Sequence, residues 1–178
     1  KRHTTIDPTG NHASTKTEFY APDGTTLIGV NYSYKIKEVV DGKERVVTVI
    51  DAYTQDESVL LTSDHSYRSV ETINDLKVLQ TITHSYEVGF ETSVRQSYRL
   101  TPEQAANFNL PDQLELDDVL GLVTITNIWE LDLENWTSVD HTSSVYTYKK
   151  MENDILTTYV DNFLRITGQE IFESRQKT

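Results

Sequence analysis

The chain has 178 residues, no cysteine and a formal net charge of −12. That length suits one domain able to bury a core without cross-links, and the missing thiols exclude disulfides, thiolate metal sites and a cysteine nucleophile. The acidic balance excludes a general nucleic-acid binder, which needs a basic face to neutralise phosphates, and it disfavours anionic membrane surfaces.

Composition points to β structure. There are 24 Thr, 16 Val, 11 Ile and 10 Tyr against 5 Ala, and β-branched and aromatic side chains fit a pleated surface better than a helix. No apolar run approaches the roughly 20 residues of a spanning helix, so no membrane insertion is expected.

Residues 1–16 carry one apolar aliphatic side chain besides alanine, Ile6, among several turn formers. They read as a flexible leader or linker, and a start at Lys1 reads as a processed terminus. A single β-rich domain is expected over 17–173, with 174–178 as a tail.

In the first clear strand Ile28, Val30, Tyr32, Tyr34 and Ile36 alternate with Gly29, Asn31, Ser33 and Lys35. Asp41-Gly42 then predicts a type I′ hairpin, which places Ile36 opposite Val47, Tyr34 opposite Val49 and Glu38 opposite Arg45.

From Val78 to Leu100 the apolar set stays on even numbers, including His84, Tyr86, Tyr98 and Leu100. One strand of that length would span roughly 75 Å, so the chain must turn, and Gly89 is the only glycine there. Conserved parity predicts an odd-length loop or a bulge near Gly89, or else a strand bent between two sheets.

Thr101 with Gln104 forms a capping-box pattern, and Pro102 suits the first helical position, predicting a short helix over 101–108. A second is expected at about 112–120, ended by Gly121. Further strands are expected over 123–133 and 137–150. Leu156, Tyr159, Val160, Phe163 and Leu164 have helical spacing, which suggests a C-terminal helix within 152–168 against the β-branched Thr157 and Thr158. The expected fold is mostly β: an antiparallel sandwich or barrel-like sheet with short helices, the alternative being α+β.

No motif fixes a chemistry. Two His-Ser-Tyr copies begin at His65 and His84, without metal-site spacing. Asp64-His65-Ser66 and Asp140-His141-Thr142 share an order but read as turn-proximal polar triplets, so no metal or other cofactor is expected. Glu130, Asp132 and Glu134 read as the solvated face of a strand. The run Trp129-Glu130-Leu131-Asp132-Leu133 resembles the Trp-x-Leu motif of WxL cell-wall-binding domains; the family's second copy has no counterpart, since Trp136 precedes Thr137-Ser138.

Amphipathic aromatics on an open sheet face stack on sugars or on protein partners. Tyr32, Tyr34, Tyr86, Tyr98, Tyr146 and Tyr148, with His84, are therefore the candidate ligand-binding residues; none is a candidate for catalysis. The expectation is a non-enzymatic, secreted or cell-surface β domain that binds a protein partner, a wall polysaccharide or copies of itself. Alternatives are a small-ligand carrier with an internal barrel cavity, and an assembly subunit whose leader adds a strand to its neighbour. A monomer is favoured over a homo-oligomer.

Overall fold

A computed structural model describes residues 1–73, 75–108, 110–114, 116–130, 141–166 and 169–178. They are nearly all antiparallel β, as the composition demands. Eleven strands are hydrogen-bonded in strict chain order: β1 (Arg2–Ile6), β2 (Ala13–Tyr20), β3 (Leu27–Val40), β4 (Lys43–Tyr53), β5 (Leu60–Ile73), β6 (Leu76–Glu87), β7 (Phe90–Leu100), β8 (Val123–Glu130), β9 (His141–Glu152), β10 (Ile155–Ile166) and β11 (Gln169–Lys177). Every connection is therefore between neighbours.

The chain divides into unit 1, residues 1–67 and 83–92, and unit 2, residues 68–82 and 93–178. The chain passes from one unit to the other inside β5, β6 and β7.

The β3–β4 hairpin has the expected register, with Ile36 opposite Val47, Tyr34 opposite Val49 and Glu38 opposite Arg45. Asp41 and Gly42 have φ of +53° and +72°, the left-handed pair that a type I′ turn requires.

Four expectations give way. Residues 1–16 are no loose leader: β1 pairs with β2 from Arg2 opposite Thr17 to Ile6 opposite Ala13. Backbone pairing needs no apolar side chains, and the turn between them is organised by buried Asp7, which accepts from the His12 N–H at 2.6 Å and the Thr9 N–H at 3.2 Å.

Among the described residues only Pro102–Ala105 are helical, as α1, closed by the Thr101–Gln104 capping box. In the stretch expected as a helix at 112–120 none of the described residues is helical; Asp112-Gln113 and Asp117-Asp118 are turns, with Asp118 at φ +59°.

The expected C-terminal helix is β10. Tyr159, Asp161 and Phe163 point inward; the buried carboxylate at Asp161 interrupts the apolar alternation, so the remaining apolar residues mimic helical spacing. The expected tail is the end of β11, where Arg175 lies opposite Asp161.

The parity puzzle resolves differently from either expectation. Val88 and Gly89 form a two-residue turn with φ of +50° and +83°, which reverses parity. Glu91 and Gln96 have opposite parity, yet both reach even-numbered β6 residues, His84 and Gln80. The alternation therefore shifts by one residue between them, within β7.

Candidate functional site

Unit 2 carries a cleft of about 700 Å³. Three rows of inward side chains run across its strands. Leu100 opposite Val123, with Tyr148 opposite Tyr159, gives an apolar row. Tyr98, Ile125, Tyr146 and Asp161 form the next, each opposite its neighbour, and Gln96, Asn127, Ser144 and Phe163 the third. Polarity thus rises along the strands.

The segment after β7 covers the apolar end. Ala105 and Leu114 are buried there, with Phe108, Leu110, Leu116 and Val119 packed against the same cluster. The cleft is what this cover leaves open. Tyr98, Ile125, Asn127 and Tyr146 line it from the sheet, Phe108 and Leu110 to Gln113 from the covering segment, and Arg165, Gln169 and Glu170 from the β10–β11 end.

The tyrosines bring hydroxyls rather than open rings. Tyr98 and Tyr146 are 6% and 3% exposed. The Tyr98 hydroxyl donates to Glu71 at 3.4 Å, and that of Tyr146 donates to Glu170 at 3.0 Å. Burial raises both phenol pKa values, and the carboxylates raise them further, so both stay protonated donors. Ser144 also donates to Glu170, and its Oγ lies 3.1 Å from the Asn127 side-chain oxygen. The ring on the wall is Phe108, half-buried and tilted against Tyr98 with centroids 6.2 Å apart.

Of the seven expected site residues, the cleft gathers only Tyr98 and Tyr146. Tyr148 is core: it stacks on Tyr159 at 5.2 Å and donates to Asp161 at 2.9 Å. Tyr32 and Tyr34 belong to unit 1, where Tyr32 donates to Glu57 and Tyr34 to Asp51 at 2.7 Å. His84 pairs with Glu91 and stacks on Tyr67, while Tyr86 meets His65 edge-on at 5.1 Å.

The acidic excess thus has a structural use. Six of the ten tyrosines are hydrogen-bonded to carboxylates, that of Tyr20 being Glu18.

Unit 1 also contains a Ser–His–carboxylate sequence of contacts. Ser63 Oγ lies 3.1 Å from His65 Nε2, and His65 Nδ1 lies 3.6 Å from Glu38. Ser63, however, donates its proton to Asp51 at 2.5 Å. His65 Nε2 is then a donor to Ser63, the reverse of what a general base needs. Asp64 and His65 point to opposite faces, Asp64 accepting from Ser85 at 2.6 Å, so that triplet does not converge. Among the described residues no three His, Asp or Glu side chains are grouped to hold a metal. Asp140 and Leu131–Leu133 lie outside the described residues, as does the side chain of His141.

Sequence reasoning missed Phe108, Arg165 and Glu170. The legible signal was Asn153-Asp154, two residues tolerant of the left-handed region, with φ of +49° and +63°. Read as a hairpin turn, they make β10 a strand and bring β11 alongside it. Comparison of the chain with protein-family models, curated proteins and solved structures finds no match, so the geometry alone carries the functional argument.

Proposed function

We propose that the chain is a non-catalytic binding domain whose ligand is a polyhydroxylated molecule, a segment of glycan, seated in the unit 2 cleft. One observation carries this: the Asn127 amide, the Glu170 carboxylate and the Arg165 guanidinium share an open cleft with Phe108 on its wall. Vicinal hydroxyls are recognised by planar groups able to make two hydrogen bonds, and the apolar face of a sugar ring packs on an aromatic one. The side chains that hold Glu170, Ser144 and Tyr146, are buried and bonded to it, so this acceptor is pre-organised. A glycan ligand fits a protein displayed outside the cell, and extracellular or surface placement forms part of the proposal.

The test is calorimetric titration with neutral oligosaccharides: cello-, xylo- and chito-series. The expected result is saturable binding to at least one series, weakened about tenfold by Phe108→Ala and by Arg165→Ala, with folding intact by circular dichroism. Absence of binding across the panel, or binding untouched by both substitutions, overturns the reading.

A further inference from the structure

Unit 1 holds a second concavity, unlike the cleft in character. A cavity of about 210 Å³ is walled by Leu60, Leu61, Tyr86 and Val88, with Ser63 and His65 also on its lining. Leu60 and Leu61 are 41% and 48% exposed, and Val88 is 83% exposed. The surface around the cavity mouth is therefore apolar and faces solvent, with room inside for one branched aliphatic or aromatic side chain.

Val88 is out of place on folding grounds. It opens the β6–β7 turn at φ +50°, where a β-branched residue is strongly disfavoured. Its exposed side chain recovers little packing within the fold, and Asn or Gly forms the same turn without strain. The hairpin does not account for a valine at its tip, whereas a surface required to be apolar does.

The charges around the cavity have one dominant sign. Glu38 and Glu91 both act on the Tyr86 phenol, adding to the upward shift that burial imposes on it. The opposing groups are Arg45, which lies across the ladder from Glu38 and over the Tyr67 ring, and two histidines, His65 beside Glu38 and His84 beside Glu91. Two carboxylates thus stand against one guanidinium at this surface.

We propose that this surface is a docking site for a basic peptide segment with a single apolar anchor. The anchor side chain fills the cavity against Tyr86, Leu60 and Leu61, and flanking lysines or arginines face Glu38 and Glu91. A lipid surface would meet the same apolar side chains, but phosphate headgroups are repelled by this carboxylate rim. The site shares no residue with the unit 2 cleft, so it stands or falls separately from the glycan reading.

The probe is the rhodamine-labelled peptide Gly-Lys-Lys-Leu-Lys-Lys-Gly, followed by fluorescence polarisation with the full chain. The expected result is saturable binding that weakens as salt rises towards about 0.15 M, and that drops about tenfold when the central Leu is replaced by Ala. Leu61→Asp also lowers affinity about tenfold. Val88→Asn separates docking from folding: relief of strain leaves the melting temperature unchanged or raised, while peptide binding falls. The proposal is overturned by no saturable binding up to about 1 mM peptide, by equal binding of the Glu-for-Lys analogue, or by undiminished binding to Val88→Asn. Co-sedimentation of the chain with phosphatidylcholine vesicles, lost in Val88→Asn, also overturns it in favour of a membrane seat.

Discussion

Units 1 and 2 are built from one kind of hairpin ladder but hold their inner faces in different ways. In unit 2 the described buried cluster has eleven hydrophobic residues, two of them, Ala105 and Leu114, supplied by the segment that covers the sheet. In unit 1 the corresponding cluster has three, Val30, Tyr32 and Tyr53. The balance there is polar: Tyr34 and Ser63 both donate to buried Asp51, His65 bonds Ser63, and Glu57 from the β4–β5 loop accepts from both Tyr32 and Lys16. Lys16 also holds the Glu57 carboxyl below the usual range, and Tyr32 lowers it further.

A meander can thus be closed by apolar cover or by satisfied hydrogen bonds. The two solutions leave different surfaces for binding. Cover leaves a cleft at its margin, and the polar network leaves an apolar cavity at a hairpin tip.

Unit 2 buries an ion pair, Asp161 with Arg175, and breaking it should give the largest effect. Asp161 is 0% exposed, bonded by Arg175 Nε at 2.7 Å and Nη2 at 2.9 Å, and by the Tyr148 hydroxyl. Arg175→Ala leaves that carboxylate without its counter-charge and should cost about 3–5 kcal/mol, whereas the double change Arg175→Met with Asp161→Leu should recover much of it. Trp129 lies in β8 of unit 2. Its fluorescence, in a Trp136→Phe background, should therefore report the shift to lower urea before the far-ultraviolet circular dichroism does. Coincident transitions, displaced equally, would show that the two units unfold as one.

Unit 1 is probed at its best-defined turn. Gly42→Val puts a β-branched residue at φ +72° with no neighbour within 4 Å to clash, so backbone strain alone is tested. A loss of about 1–2 kcal/mol is expected, visible in circular dichroism and smaller than that of Arg175→Ala. An unchanged urea midpoint would refute the type I′ turn.

The mildest perturbation is alkaline pH, and it touches both units. Burial raises the phenol pKa of Tyr34 in unit 1 and of Tyr98 and Tyr146 in unit 2 above the ordinary value of 10.0, with the neighbouring carboxylates adding to it. A phenol raised in the folded state contributes stability in full below its unfolded value and loses it as pH climbs through the folded one. Stability should therefore be flat in this respect up to about pH 9 and decline above about pH 10. Absorbance at phenolate wavelengths should lag in the folded chain behind that of the urea-unfolded chain. Superimposable titration curves would mean that these hydroxyls are solvated.

Much of the ladder was legible because its determinants are local. Asp41-Gly42 set the β3–β4 register through the turn geometry and the complementary pairs beside it, and Thr101, Pro102 and Gln104 marked the start of α1. The candidate site was less legible. Tyr98 and Tyr146 were identified as tyrosines for an open face, but neighbouring strands place their rings in the floor and their hydroxyls on Glu71 and Glu170, distant residues in sequence.

By itself the sequence determined the β class, the β3–β4 hairpin and the capped turn, since alternation, turn residues and caps act over a few residues. It also determined an acidic, cysteine-free chain, from composition alone. Tertiary structure decided that β10 is a strand, because an inward Asp161 is tolerable only with Arg175 brought alongside in β11. It decided the strand identity of residues 2–6, which rests on backbone pairing with β2 that no side-chain pattern records. It also decided the one-residue shift inside β7, for a local turn at Val88-Gly89 cannot reveal which β7 residue meets Gln80 further along. Each of these depends on a hydrogen bond or ion pair between strands, and such partners are chosen by the packed sheet rather than by neighbours in the chain.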